Sequence, residues 1–144
     1  MVLINYWKSK FMTYDIEKFN SFDILHMNVF DIDSNIDDDG INECISAMEK
    51  YLKEMESKNR CFHLFYNVSN VNRMLPTSYM YNCAKMFKEN KSILEKYLIK
   101  TSIINAGTFI IACSKLIFTF YTPVRPYVFV ENLKEAKEKL FKLN

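Results

Sequence analysis

Along residues 41–142 the hydrophobic period keeps switching between helical and strand-like, and that alternation leaves few architectures open. Ile41, Cys44, Ile45, Met48, Leu52 and Met55 recur at helical spacing, with Glu43, Glu49, Lys50 and Lys53 on the other side. The continuous apolar run Cys61-Phe62-His63-Leu64-Phe65-Tyr66 suits a strand covered on both faces. Met80, Cys83, Ala84 and Phe87 form a second helical stripe, and Ile93, Leu94, Tyr97 and Leu98 a further short helix. The β-branched content of Thr101, Ile103 and Ile104 marks a buried strand, and an apolar helix, a strand and an amphipathic helix follow. The spacing predicts helix 41–57, strand 61–67, helix 77–90, strand 100–105, helix 108–121, strand 127–130 and helix 133–142. This order implies an α/β fold with a mixed sheet, parallel βα units joined by right-handed crossovers, and helices packed on it.

The first part of the chain reads as strands at 2–7, 11–14 and 22–30; in the last, Leu25, Met27 and Val29 alternate with His26 and Asn28. Asp39 or Gly40 is the expected N-cap of the first helix, and Thr77-Ser78 that of the second. Asn132-Leu133-Lys134-Glu135 is a capping box in which Glu135 reaches back to the cap amide. No repeat, linker or low-complexity tract divides the 144 residues, which suit one domain. With 49% hydrophobic residues, 15% aromatic, Gly 2 and Pro 3, a well-filled core is expected and disorder or a turn-rich sandwich is not.

Several function classes find no support. A net charge of +2 gives no electrostatic basis for nucleic-acid binding. Asp31, Asp33, Asp37, Asp38 and Asp39 crowd one solvated loop; aligned as a calcium loop on Asn35, Asp37, Asp39 and Gly40, Ser46 falls where a bidentate Glu is required. Cys44, Cys61, Cys83 and Cys113 have no close pairing, so free thiols and no metal are expected. His26 and His63 can be neighbours in a sheet, yet no ligand spacing joins them to a cysteine. Cys61 and His63 share a strand face, but at that spacing their bases lie about 7 Å apart, and no acid orients the pair. Two glycines leave no nucleotide-binding loop. The chain therefore reads as a non-enzyme without catalytic residues, cofactor or metal, with an unrecognised hydrolase as the remote alternative.

The window 103–121 is long enough to span a bilayer, but Lys115 near its middle would cost about 2.5–3.5 kcal/mol. A strand followed by a buried helix accounts for the same residues without a transmembrane span. The opening residues lack a signal-peptide pattern, and reduced cysteines fit the cytoplasm. The helix at 109–121 still carries more apolar surface than one-sided packing needs. Phe109, Ile110, Leu116, Ile117, Phe118 and Phe120 are accordingly a candidate apolar binding surface, for a lipid or other apolar ligand, a protein partner, a second copy, or the periphery of a membrane. The plain alternative is ordinary core, and the sequence does not say which of the six faces which way.

From Cys61 to Leu143 the order and spacing resemble the SpoIIAA-like fold, shared by STAS domains and, in larger form, by Sec14/CRAL-TRIO lipid-transfer domains. The carriers are Phe65-Tyr66-Asn67-Val68-Ser69-Asn70-Val71, the apolar helix after Ile104-Asn105-Ala106, and the stretch Arg125-Pro126-Tyr127-Val128-Phe129-Val130-Glu131-Asn132-Leu133-Lys134-Glu135-Ala136. Resemblance to STAS domains implies binding or regulation by protein–protein interaction through the loop and helix at 69–90. It also makes Thr77 and Ser78 a candidate phospho-switch at a helix N-terminus. The strand ends on Asn67 where that family carries Asp, and no glycine follows Ser78. Resemblance to the Sec14 group implies instead an apolar ligand held by helix 109–121.

Overall fold

The computed structural model describes residues 6–9, 11–30, 37–71 and 75–142. The order is β1 (Tyr6–Lys8), β2 (Met12–Lys18), β3 (Asp23–Val29), α1 (Asp38–Ser57), β4 (Phe62–Asn67), α2 (Thr77–Glu89), α3 (Lys91–Tyr97), β5 (Leu98–Ile104), α4 (Thr108–Phe120), β6 (Tyr127–Val130) and α5 (Leu133–Lys142). One six-stranded sheet follows chain order from β1 to β6. β1, β2 and β3 pair antiparallel, because a short turn suffices between β2 and β3. β3, β4, β5 and β6 pair parallel, as the helix between each predicted pair requires.

Since every crossover steps in the same direction, the right-handed rule puts all crossover helices on one side. The burial pattern agrees. Residues from α1, α2, α3 and α4 share one core with Met12, Leu25, Met27, Phe62, Leu64 and Ile103 of the sheet. The second face is covered by α5, where Ala136 joins Ile24, Phe65, Ile104 and Val130 in a smaller cluster. Toward β2 this face turns polar: Thr13 accepts from Asn28 at 3.2 Å, and Glu17 binds both His26 and Lys137 of α5.

The elements are where the periodicity puts them; their ends shift for local reasons. α1 starts earlier than expected, because Asp37, not Asp39 or Gly40, is the N-cap: its carboxylate accepts the Gly40 N–H at 2.7 Å. α2 is preceded by Pro76 as N-cap, so Thr77 and Ser78 are not caps but the first helical residues, with no side-chain cap bond. The ring holds Pro76 at φ −57°, ψ 139°, an extended geometry from which the helix can begin at the next residue. At α5, Asn132 accepts the Glu135 N–H at 2.8 Å, while the Glu135 carboxylate reaches the Glu131 N–H at 2.9 Å, one residue before the expected cap amide. β5 opens at Leu98, directly after α3. The expectations for residues 2–5, Asp31, Asp33 and Asn35, and the middle of the 69–76 loop, lie outside the described residues. Among the described residues no helix is long and apolar enough to cross a membrane.

Candidate functional site: the cavity beneath the apolar helix

The chain leaves β5 through Asn105 in the left-handed region at φ 56°, and the extended Gly107 caps α4 without a side-chain bond. Around that helix the six candidate residues separate. Ile110, Cys113, Ser114 and Ile117, at i, i+3, i+4 and i+7, face inward; Ile110 is 2% exposed and Ile117 half-buried. Phe109, Leu116 and Phe120 lie on one outer flank, exposed by 53%, 37% and 49%. There Phe120 meets Tyr81 of α2 edge to face, with ring centroids 5.8 Å apart. Half-buried Phe118 lies on the opposite flank against Tyr127 of β6 at 4.5 Å, and Tyr127 in turn meets Phe129 at 6.0 Å. The six therefore do not form one surface: α4 has an inner stripe and two unlike flanks.

Under the inner stripe is a cavity of about 90 Å³, floored by Leu64 and Ile103 of the sheet and walled by α2, α3 and α4. Its origin is volumetric. Cys83, Thr101, Cys113 and Ser114 are small residues at inward positions, where larger side chains would close the space. Phe118, Tyr121, Pro123, Arg125 and Tyr127 also line it, around the segment that links α4 to β6. Arg125 is held there by an Nη2–H bond to the Glu95 carbonyl at 2.6 Å, across to α3.

The phenols and the thiol near the cavity are kept neutral. The hydroxyls of Tyr66 and Tyr79 bond each other at 2.9 Å, and burial pushes both phenols above their ordinary range. Burial, with Cys44 adding to it, pushes the Cys83 thiol up to about 12, so it lines the wall as a small hydrophobe rather than a nucleophile. Burial likewise raises Tyr121, against a bond with the Val124 backbone.

The remaining candidates lie elsewhere. Thr77 and Ser78 are exposed in the first turn of α2 and do not line the cavity. His26 stands opposite Phe65 and His63 opposite Ile24, so the histidines are diagonal rather than paired. His63 is buried edge-on to Phe22 at 5.1 Å, and burial, aided by the charge of Lys100, lowers it to about 4. Cys61 precedes β4 and is exposed, so it shares no strand face with His63. All four cysteines are free. Among the described residues no group of three or more His, Cys, Asp or Glu side chains is placed to hold a metal. Arg125 and the small cavity-lining residues were not among the sequence candidates. The available signal was the run Cys83-Ala84 and Cys113-Ser114 at inward helical positions.

No protein-family model matches this chain, and no curated protein matches it. A similar solved structure is that of an uncharacterized protein of the DUF3478 family from Shewanella loihica PV-4, which has a SpoIIAA-like fold. The TM-score is 0.60 at 12% identity, over 97% of this chain and 98% of that one. The fold is SpoIIAA-like. Coverage of nearly the whole chain brings the antiparallel strands β1 to β3 into the SpoIIAA-like likeness, beyond the stretch from Cys61 that first suggested it. At this identity the likeness concerns the backbone path, and the cavity has to be argued from the residues of this chain alone.

Proposed function

We propose that the chain is a non-enzymatic binding protein that takes a small apolar ligand into the cavity beneath α4. The carrying observation is the cavity itself, about 90 Å³ and lined almost wholly by apolar side chains. Concave sites walled by apolar groups, with few polar ones, are where small ligands are held. An apolar cavity of comparable order, about 150 Å³, stays dry and accepts an apolar guest. The non-enzymatic reading is supported by the chemistry of the lining: Cys83 and Tyr66 are held protonated, and both histidines lie on the other face of the sheet. Free cysteines fit a reducing compartment such as the cytoplasm.

The test is uptake of a neutral solvatochromic dye, with native mass spectrometry for co-purifying apolar molecules. Ser114→Phe places a ring in the cavity. The expected result is saturable uptake by the wild-type protein and loss of it in Ser114→Phe with an unchanged circular dichroism spectrum. Equal uptake by both would overturn the proposal.

A second reading rests on a different observation. The flank formed by Phe109, Leu116, Phe120 and Tyr81 is exposed and apolar, a surface suited to a protein partner. Tyr81 lies on the helix whose first turn exposes Thr77 and Ser78, so a phosphate there would change the charge beside that surface. Pull-down or association that survives Phe109→Asp and Leu116→Asp would remove this reading.

A further inference from the structure

We propose that the ligand of this cavity is a single-tailed anionic amphiphile, a medium-chain fatty carboxylate, with its tail under α4 and its head on Arg125. This rests on the cavity reading above and adds the chemistry of the occupant.

Charge supports it first. Among the described residues that line the cavity, Arg125 is the one charged side chain. The Glu95 carboxylate, whose charge also bears on Tyr121 of the lining, is paired with Lys91 at 3.7 Å, and what Arg125 binds is the Glu95 backbone carbonyl. The exposed guanidinium thus stands at the rim of the apolar cavity with no carboxylate paired to it among the described residues. That is the arrangement that favours a ligand with one negative end and one apolar end.

Shape supports it next. A guanidinium is a planar fork of N–H donors that matches a carboxylate in bidentate fashion. The 2.6 Å bond to Glu95 holds the side chain in place before any ligand arrives, which reduces the ordering cost of binding. Volume sets the tail. About 10–15 Å³ of such space holds one water-sized group, so a cavity near 90 Å³ takes one chain of several carbon units, not the paired chains of a bilayer lipid. The walls at Phe118, Tyr121 and Tyr127 are aromatic and extend the apolar path from the cavity to Arg125.

The experiment is calorimetric titration with octanoate, octanol and octyltrimethylammonium, each below its micelle concentration, on the wild-type protein and on Arg125→Ala, Arg125→Lys and Ser114→Phe. Octanoate is expected to bind about tenfold more tightly than octyltrimethylammonium. Arg125→Ala should weaken octanoate by about tenfold while leaving octanol unchanged, and Arg125→Lys should restore part of the loss. Ser114→Phe should abolish all binding. In the wild-type protein alone, octanoate affinity should fall from low to high salt while octanol affinity stays level; this arm holds even if Arg125→Ala fails to fold. Octanol and octanoate binding equally, with no salt dependence, would overturn the anionic assignment and leave the apolar cavity standing. Binding that survives Ser114→Phe undiminished, or no binding by the wild-type protein, would overturn the cavity reading and this one with it.

Discussion

Asn59 ends α1 in the left-handed region at φ 53°, and its side chain accepts the Tyr97 hydroxyl at 3.1 Å. One residue thus turns the chain toward β4 and ties it to α3. Asn59→Ala should cost about 1–2 kcal/mol for the backbone conformation, with the lost hydrogen bond in addition. Asn59→Gly should cost only about 0.5–1.5 kcal/mol, the hydrogen bond alone. Urea unfolding of the pair separates the two; equal losses would mean the backbone conformation is not the issue. His63 gives a second residue-level expectation. Its folded-state value of about 4 lies below the ordinary 6.5, so below pH 6.5 the unfolded chain binds the extra proton. Its contribution is fully present above pH 6.5 and lost as pH falls toward 4, amounting to as much as about 3 kcal/mol. His63→Phe should flatten the stability profile between pH 6.5 and 5, and an unchanged slope there would contradict this. These details were not legible beforehand. An asparagine before a strand is an ordinary turn signal, and the cost of burying His63 depends on what the β2–β3 turn and β5 bring beside it, Phe22 and Lys100.

Among the elements, α1 and α4 show the limits of periodicity in opposite ways. In α1 the polar and apolar sides are distinct, so Leu52 could be read as core and Lys53 as surface. The structure has Leu52 at 3% exposed, and Lys53 exposed beside Glu49 at 3.6 Å. Leu52→Ala should cost about 2–5 kcal/mol and Lys53→Ala less than about 0.5 kcal/mol in chemical denaturation. In α4 both sides are apolar, so a 3.6-residue period carries no direction; only packing against the sheet and α2 decides it. Aspartate at Phe109, Leu116 or Phe120 should leave the fold intact by circular dichroism. Aspartate at Ile110 or Ile117 should unfold the chain, because an unpaired charge would be buried. Folded Ile110→Asp would show that the inner stripe has been misassigned. The cavity was beyond reach of the sequence for a related reason. Its volume is a difference between residues on several elements, and no single segment contains it.

At the scale of the whole molecule, strand alternation was enough to give the α/β class, the parallel β4–β5–β6 unit and the likeness to SpoIIAA-like folds, since helices between strands allow little else. The strand expected at 2–7 meets β1 at Tyr6 and Trp7, but its antiparallel pairing with β2 was not legible, because three residues carry too little pattern to choose a partner. The uneven cover of the sheet leads to one more expectation. β4 is flanked by strands on both sides and buried on both faces, through Phe62 and Leu64 on one and His63 and Phe65 on the other. β6 is paired on one side and exposes Tyr127 and Phe129. Native-state hydrogen exchange should therefore be slowest in β4 and faster in β6, and the reverse ranking would contradict this account of the core.

Strand order that equals chain order also bears on how such a protein is made. A nascent chain emerges at about 5–20 residues per second, N-terminal strands first. Here each new strand finds its partner already in place, with no slot held open in the sheet for a segment still to be synthesised. One edge is β1 throughout, and the other at any moment belongs to the strand added last, so the sheet grows in one direction as translation proceeds. The second face has no such protection until α5 arrives: Phe65 and Ile104 wait for Ala136 and Leu140. Arrival of α5 is thus the step that covers this face, and a chain truncated before it would present a finished sheet with one oily side.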